Sequence, residues 1–330
     1  MRDQYLQLHQ LHQPLIGRLL LLLGAILLGA CARSPVPVTG SMGLPERVEL
    51  VDVPFYPQED YQCGPAALAT MLTHRGIGTD PEQLVERVYI PERKGSLQIE
   101  MVAAARAHDL LVYPLEPRLD ALLAEVAAGN PVLVLQNLAF DRWPQWHFAV
   151  VVGYDLASQT IILRSGTTQR WTGSFHQFER SWVKGDRWAV VTVEPGQLPA
   201  GARETVWLKA ANDLEQTGRK DAARKAYEAA TAHWSGGLSW FALANSLYAE
   251  GDRHAAEEAL RSSIASDDAF AAGWFNLAQL LAERGCATQA SRAKACAIQL
   301  APEDKRFAVG LSQQREQAVG CESLPACPVQ

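Results

Sequence analysis

The pattern of apolar and polar residues changes three times along this chain. The first feature is an unbroken apolar run, Leu19 to Leu28, which follows a polar segment that carries two arginines. Spanning a bilayer takes ~20 apolar residues and a signal-peptide core takes ~7–15, so the run predicts a targeting signal over residues 1–30. Residues 31–49 are rich in Pro, Gly and Ser and lack a helical or strand period, so they are predicted to be a tether.

The second pattern covers residues 50–195, where helical periods come first and strand patterns follow. Residues 51–58 are predicted to be extended, and residues 63–76 to be a helix, because its third residue is a proline and its last a glycine. Further helices are predicted at 80–88, 96–108, 118–128 and 174–182, and strands at 131–137, 146–154, 160–164 and 187–193. Helices followed by antiparallel strands predict an α+β domain.

The third pattern is a repeat that begins near residue 203. Trp240 and four residues that follow it recur thirty-four positions later, starting at Trp274, and Trp207 opens an earlier copy. A helix pair of this length cannot bury its own apolar stripe, so neighbouring pairs stack and leave a concave surface. The period resembles three tetratricopeptide repeats over residues 203–304, an all-α solenoid whose groove binds a protein partner. A plain alanine-rich helical bundle is the alternative.

Composition and charge narrow the possible functions. The chain has 330 residues, enough for two domains, and 48% of them are hydrophobic while 20% are charged, which excludes a wholly disordered protein. Thirty basic and thirty-six acidic side chains give a net charge of −6. This balance lacks the basic surface of a nucleic-acid-binding protein, so no nucleic-acid partner is expected.

Cys31 stands directly after the apolar run, in the segment Leu28-Gly29-Ala30-Cys31. The segment resembles the bacterial lipobox, which implies cleavage before Cys31 and acylation of its thiol. The resemblance therefore implies a lipid-anchored protein of the bacterial cell envelope. Ala32 stands where an aspartate favours inner-membrane retention, which implies the outer membrane and a protein that faces the periplasm. The alternative is that Cys31 ends an ordinary signal peptide.

Four of the six cysteines lie near the C-terminus. Cys286 and Cys296 belong to the last repeat, and Cys321 and Cys327 to a tail over residues 305–330. In an oxidising envelope these four thiols predict two disulfides that join the repeat to the tail, with three connectivities possible. A metal site is the alternative, but the tail contains no histidine and no Cys-x-x-Cys spacing. The sequence therefore predicts neither a metal ion nor a cofactor.

Cys63 and His147 are the candidate catalytic residues. Cys63 begins a predicted helix, where the helix dipole and unpaired backbone N–H groups favour an anion and lower the pKa of a thiol. His147 begins a predicted strand, and Gln58 precedes Cys63 by five residues. A lone histidine is more often structural than catalytic, but a thiol, a histidine and a glutamine in this order predict nucleophilic catalysis.

Two segments carry a resemblance to a known family, namely Gln58-Glu-Asp-Tyr-Gln-Cys63-Gly-Pro-Ala-Ala-Leu-Ala and Trp146-His147-Phe-Ala-Val-Val-Val-Gly-Tyr-Asp155. They resemble the bacteriocin-processing, double-glycine-leader branch of the papain-like cysteine peptidases. The resemblance covers residues 50–195 and implies hydrolysis of peptide bonds through a thioester at Cys63, with His147 as the base. Gln58 would donate to the oxyanion together with the Cys63 backbone N–H, and Gln62 is a less favoured substitute.

The third catalytic position departs from the family. The family usually places an aspartate before a proline at the end of the next strand, whereas this chain has Ser165 followed by Gly166. A serine can accept the imidazole N–H but carries no charge, so His147 would be less basic than in the family. Asn137, at the end of the preceding strand, is the second choice for this role.

These observations predict an envelope lipoprotein with an α+β papain-like cysteine peptidase domain followed by an all-α tetratricopeptide-repeat solenoid. The substrate would be a peptide or protein, and the repeats would recruit the substrate or a partner. Two alternatives keep the same fold. One is a catalytically impaired peptidase-like scaffold, which Ser165 suggests, and the other is an amidase that cuts cell-wall peptides.

Overall fold

A computed structural model of the chain describes residues 43–58, 62–311 and 320–329. The predicted signal peptide over residues 1–30, the predicted acylation of Cys31 and most of the tether lie outside these residues. Within the described ranges, no helix is both long enough and apolar enough to cross a bilayer.

The first part of the described chain combines helices with a seven-stranded antiparallel sheet. Its elements are, in chain order, β1 (Arg47–Glu49), α1 (Cys63–His74), α2 (Pro81–Val88), α3 (Gln98–Arg106), β2 (Leu111–Pro114), α4 (Leu119–Ala127), β3 (Val132–Asn137), β4 (Trp146–Asp155), β5 (Thr160–Ser165), β6 (Thr168–Ser174), α5 (Phe175–Trp182) and β7 (Ala189–Val193). The strands lie in the order β2-β7-β3-β4-β5-β6, and β1 pairs with the end of β4. All pairings are antiparallel, as predicted.

The sheet has three more strands than the sequence pattern predicted. β1 and β2 contain three and four residues, too few for an alternating pattern to stand out. β6 is an edge strand whose side chains are mostly exposed and polar, so it reads like a loop. The prediction that residues 51–58 are extended was wrong for residues 51–53, which form a turn and a bend.

α1 is the central helix of this domain. Every residue from Cys63 to Leu72 is buried, because alanines and leucines occur on all sides of the helix. The helix packs on the face of the sheet that carries Leu135 and Phe148. Because strand side chains alternate between faces, His147 lies on the opposite face of β4.

The second face of the sheet is covered by α5. Phe175, Phe178 and Trp182 are the buried residues of this helix. Gln136, which pairs with His147 across β3 and β4, donates from its side chain to Ser181 Oγ at 2.6 Å. α5 therefore lies beside the face of the sheet that bears the histidine.

The rest of the chain is helical. Six helices follow, namely α6 (Glu204–Gln216), α7 (Lys220–His233), α8 (Gly237–Glu250), α9 (Arg253–Ser266), α10 (Ala271–Arg284) and α11 (Ala287–Leu300), and a 3-10 helix at Lys305–Ala308 comes after them. They form three successive pairs that repeat with the spacing seen in the sequence. Trp207 and Trp274 are fully buried and Trp240 is half-buried, so the repeated tryptophans serve the core.

The helical region is bonded to the sheet-containing domain. The carboxylate of Glu125 in α4, which is 1% exposed, accepts the backbone N–H groups of residues 200 and 201 at 3.2 and 3.0 Å. Arg106 in α3 forms an ion pair with Asp213 in α6 at 2.8 Å. These contacts fix the connection between the two parts of the chain.

Two disulfides attach the tail to the last helix pair. Cys286 bonds to Cys321, and Cys296 bonds to Cys327. Both bonds join the repeat to the tail, and the structure selects one of the three possible connectivities. Leu324, between the two tail cysteines, is buried against the helices. The tail therefore covers apolar surface that would otherwise be exposed at the end of the helical array.

Loss of one of these disulfides is expected to destabilise the helical region. The two bonds close loops of 35 and 31 residues, and loops of this length predict a loss of about 4 kcal/mol for each removed bond by the chain-entropy relation. The measurement is the free energy of unfolding of Cys321→Ser and Cys327→Ser against the unchanged chain, with and without reductant. Reductant should destabilise the unchanged chain more than either variant. Equal stabilities without reductant would contradict the prediction.

Candidate active site

The Cys63 thiol lies at the first residue of α1 and is only 8% exposed. The backbone N–H groups of Phe148, Gly64 and Cys63 itself interact with its sulfur, and each of them lowers the pKa of the thiol. Burial has a larger effect in the opposite direction, so the pKa of Cys63 is raised above its ordinary value. The structure therefore corrects the prediction that the helix start lowers this pKa, because desolvation of the thiolate outweighs the backbone N–H groups.

His147 is the second residue of β4 and is 7% exposed. Its Nε2 lies 2.8 Å from Ser165 Oγ at the end of β5. Burial lowers the pKa of His147 to about 4, so the imidazole is neutral near pH 7. A neutral ring that donates from Nε2 to the serine has Nδ1 free to accept a proton.

Of the two candidates for the third position, Ser165 contacts the histidine and Asn137 does not. Asn137 pairs across the sheet with Trp146 rather than with His147. Its Oδ1 accepts the backbone N–H groups of Ala139 and Gln145 at 3.1 and 2.9 Å, which holds the loop between β3 and β4. Asn137 therefore has a structural role in this loop.

Gln58 is linked to the serine through the turn between β5 and β6. Its backbone N–H donates to the carbonyl oxygen of Gly166 at 3.1 Å. Gln58 lines the same cleft as Cys63 and His147, whereas Gln62 is not among the residues that line this cleft. The structure thus brings together the four residues Gln58, Cys63, His147 and Ser165.

The cleft has a volume of about 880 Å³ and opens beside the thiol and the imidazole. One wall is the segment before α3, which includes Arg93, Lys94 and Ser96. Ser96 Oγ is buried and forms no hydrogen bond with any described residue. A side chain at Gly64 would collide with Ser96, so glycine after the cysteine allows this wall to approach the helix start. The sequence pattern alone did not identify this wall.

Four large apolar side chains are exposed on the loop between β3 and β4 and at the start of β4. Leu138, Phe140, Trp143 and Trp146 are exposed by 52%, 77%, 70% and 52%, and Trp146 also lines the cleft. We call these four residues the apolar rim. Large apolar side chains that are exposed close together along the chain are typical of a surface that contacts a ligand.

The pKa shift of His147 predicts a pH dependence of folding stability. The histidine has an ordinary pKa of 6.5, and burial lowers it to about 4 in the folded protein. Between these values the unfolded chain binds a proton that the folded chain does not, so stability falls as the pH drops from 6.5 to 4. The loss amounts to about 3 kcal/mol once the pH is below both values.

The measurement is urea unfolding of the unchanged chain and of His147→Gln at several pH values. Burial also lowers the pKa values of His74 and His108, so the difference between the two proteins isolates His147. The unchanged chain should lose more stability than the variant as the solution is acidified. Parallel stability curves would show that His147 does not have this shift.

Parts of the chain are similar to known proteins. Residues 50–189 match the model of the Peptidase_C39 like family, so this part of the chain is a peptidase C39-like domain. No curated protein matches the sequence.

Several solved structures are similar to parts of the chain. A C39-like peptidase from Bacillus anthracis is 19% identical, with 45% of this chain and 98% of that chain covered and a TM-score of 0.38. The peptidase domain of Streptococcus ComA, a bifunctional ABC transporter, is 19% identical over 43% of this chain and 98% of that chain, with a TM-score of 0.34. The Yersinia enterocolitica type III secretion chaperone SycD is 18% identical over 32% of this chain and 84% of that chain, with a TM-score of 0.29.

Proposed function

Because residues 50–189 form a peptidase C39-like domain, we propose that the chain is a cysteine peptidase with Cys63 as the nucleophile and His147 as the base. The observation that carries the proposal is the shared cleft, which is lined by both residues while Ser165 Oγ lies 2.8 Å from His147 Nε2. A thiol, an imidazole and a group that orients the imidazole are the parts that nucleophilic catalysis requires.

The reaction begins from a neutral thiol and a neutral imidazole. His147 takes the proton of Cys63 as the sulfur attacks the peptide carbonyl, and then gives it to the departing amine. The Cys63 backbone N–H and the Gln58 side chain donate to the oxygen of the tetrahedral intermediate. Water then hydrolyses the thioester and regenerates the thiol. The apolar rim would contact apolar side chains of the peptide substrate.

The test is peptide hydrolysis by the whole chain, with a mixture of synthetic peptides as substrate and mass spectrometry as the readout. Cys63→Ala and His147→Ala should both abolish cleavage while each variant remains folded. The control variant is Gln62→Ala. Asn137→Asp is not suitable for this purpose, because Asn137 holds the loop between β3 and β4. Cleavage that persists in Cys63→Ala would refute the proposal.

Gln58 and Gln62 form a matched pair for testing the oxyanion site. Gln58→Ala should lower kcat by about 10²–10³-fold, the usual effect of removing one oxyanion donor. Gln62→Ala should change kcat little, because Gln62 does not line the cleft. The measurement is kcat and KM for one cleaved peptide. Equal losses in the two variants would place the oxyanion donor elsewhere.

A catalytically impaired scaffold is the second candidate. Two observations favour it, namely the uncharged Ser165 beside His147 and the raised pKa of the Cys63 thiol. A folded chain that cleaves no peptide, and that does not gain cleavage in Ser165→Asp, would favour this candidate. A cell-wall amidase would use the same residues, and release of peptides from purified cell wall would identify it.

For the helical region we propose a tetratricopeptide-repeat solenoid that recruits a peptide or protein. A groove of about 880 Å³ lies along α6 and α8, with Leu208, Phe241, Asn212 and Asn245 among its lining residues. Apolar side chains with interspersed amides can hold an extended peptide. Asn212→Ala combined with Phe241→Ala should raise the KM for a recruited substrate and leave cleavage of short peptides unchanged. Unchanged KM for every substrate would contradict recruitment.

We propose that the chain is anchored in the outer membrane by a lipid on Cys31 and faces the periplasm. The sequence Leu28-Gly29-Ala30-Cys31 after an apolar run supports this proposal. The experiment is fractionation of cells that express the chain, with mass spectrometry of its N-terminal peptide. Cys31→Ser should lack the lipid and leave the membrane fraction. A mature protein with an unmodified Cys31 would refute the anchor.

A further inference from the structure

A second cavity lies beside Ser165, apart from the catalytic cleft. Its volume is about 180 Å³, which is far more than one water needs. Ser165, Asn137, Arg180 and Lys184 are among its lining residues, and His147 and Cys63 are not. Ser165 therefore separates the imidazole from this cavity, which we call the serine pocket.

The serine pocket has the chemistry of an anion site. Its lining includes two cationic side chains, Arg180 and Lys184, and no aspartate or glutamate. Among the described residues, Arg180 forms no hydrogen bond or ion pair, and Asn137 uses only its Oδ1, so its Nδ2 donates to no described atom. Lys184 donates to the carbonyl oxygen of Ala139 at 2.6 Å and forms an ion pair with Asp141 at 3.7 Å, so Arg180 is the cation without a described partner at the pocket.

In the described part of the chain, no negative charge lies beside His147 at Ser165, where a carboxylate would stabilise the imidazolium of the catalytic pair. The imidazolium formed when His147 takes the thiol proton donates from Nε2 to an uncharged hydroxyl. When Nε2 donates to Ser165 Oγ, the serine hydroxyl is able to donate its own hydrogen away from the ring. A carboxylate in the serine pocket could accept that hydrogen.

We propose that the serine pocket binds a small carboxylate, which acts through Ser165 to stabilise the thiolate–imidazolium pair of Cys63 and His147. This inference rests on the proposed function. The carboxylate accepts the hydroxyl hydrogen of Ser165 and is held by Arg180 and the Asn137 amide. The proton of the thiol moves to His147 Nδ1, and no other bond is formed or broken. The bound anion thus supplies the charge that an aspartate would supply from the protein.

The charged groups around the histidine favour entry of an anion. A small cavity beside Cys63 and Ser165 adjoins the cleft and the serine pocket. Six charged residues line these three spaces, namely Arg93, Lys94, Arg164, Arg180, Lys184 and Asp186. Five of these six are cationic. Arg164 is 6% exposed, and each of its three guanidinium nitrogens donates to a backbone carbonyl, including that of Val53 at 3.2 Å. This excess of positive charge attracts a carboxylate.

The experiment measures the alkylation rate of Cys63 by iodoacetamide in the whole chain at about pH 6.5, with sodium formate as the probe. Sodium chloride at the same ionic strength is the reference, because it screens charges without accepting two directed hydrogen bonds. Formate should accelerate alkylation until the pocket is saturated. The acceleration should be about tenfold for each pKa unit by which bound formate raises the pKa of His147. Arg180→Gln and Ser165→Ala should each lose this acceleration. Arg292→Gln, which removes a distant exposed arginine, should retain it.

Binding is measured separately through the melting temperature. Formate should raise the melting temperature of the unchanged chain above that in chloride, and Arg180→Gln should lose this increase, because only the folded pocket binds the anion. Equal effects of formate and chloride on both readouts would overturn the proposal, as would an acceleration that persists in Arg180→Gln. If His147→Ala cleaves peptides as fast as the unchanged chain, the proposed function fails, and the melting shift still decides whether the pocket binds formate.

Discussion

Alkylation of Cys63 by iodoacetamide is expected to accelerate about tenfold for each unit of pH between about 6 and 8, with no plateau in this range. Burial raises the pKa of the thiol and lowers that of His147 to about 4. The resting pair is therefore neutral, and the thiolate forms only as the thiol itself titrates. A preformed thiolate–imidazolium pair would instead react at a nearly constant rate across these pH values.

The measurement is the alkylation rate of the Cys63 peptide, followed by mass spectrometry in buffers without carboxylates. Among the described residues Cys63 is the free cysteine, since the other four form disulfides. The same chain unfolded in urea is the control, because its Cys63 has the ordinary pKa of an exposed thiol. The folded chain should react more slowly than the unfolded chain at pH 8. A plateau between pH 5 and 7 would show that the pair is ionised at rest.

Ser165→Asp is expected to raise the alkylation rate of Cys63 at pH 7 by about 10-fold to 10³-fold. A carboxylate beside a histidine favours the imidazolium and raises its pKa by about one to three units. His147 Nε2 already lies 2.8 Å from the serine oxygen, and the serine pocket leaves space for the larger side chain. Peptide hydrolysis should increase in parallel, and the variant should respond less to formate than the unchanged chain.

Ser165→Asn is the matched control for this change. Asparagine has nearly the same size and shape as aspartate but carries no charge, so it should leave the alkylation rate near that of the unchanged chain or below it. Both variants should be compared over the same pH range, where Ser165→Asp should also flatten the profile. If the two variants react at equal rates, charge at this position does not control the pair.

The two measurements together distinguish an active peptidase from a scaffold. An active enzyme with an uncharged third residue should react slowly in its resting state and faster when a charge is supplied, either by Ser165→Asp or by a bound carboxylate. A scaffold that has lost more than the carboxylate should not recover cleavage in Ser165→Asp. The effect of Ser165→Asp on cleavage therefore distinguishes an active peptidase from a catalytically impaired scaffold.

Short-range sequence signals predicted most of the fold. Pro65 in a first turn and the run of alanines and leucines after it placed α1, and the β-branched runs placed β3, β4, β5 and β7. The strands β1, β2 and β6 were missed because their residues carry no buried alternation. Their pairing is decided by neighbours that are distant in sequence, such as Tyr154 opposite Val48.

The sequence also predicted the disulfides only in part, and the tertiary structure decided which cysteines pair. The sequence indicated that the tail joins the last repeat, since four thiols lie close together in a short part of the chain. The pairing depends on direction, because the tail runs alongside α11 in the same sense as the helix. The ten residue steps from Cys286 to Cys296 rise about 15 Å in a helix, and the six steps from Cys321 to Cys327 can span up to about 20 Å, so each tail cysteine reaches the helix cysteine beside it.

The sequence by itself identified Cys63, His147 and Ser165 as candidate catalytic residues, because each stands at the end of an element whose local pattern is strong. Only the tertiary structure decided their ionisation, because burial depends on everything packed around a group whereas a helix dipole depends on one segment. The serine pocket is also a product of the tertiary structure, since β3, β5, β6 and α5 each contribute part of its lining. No single stretch of sequence contains that information.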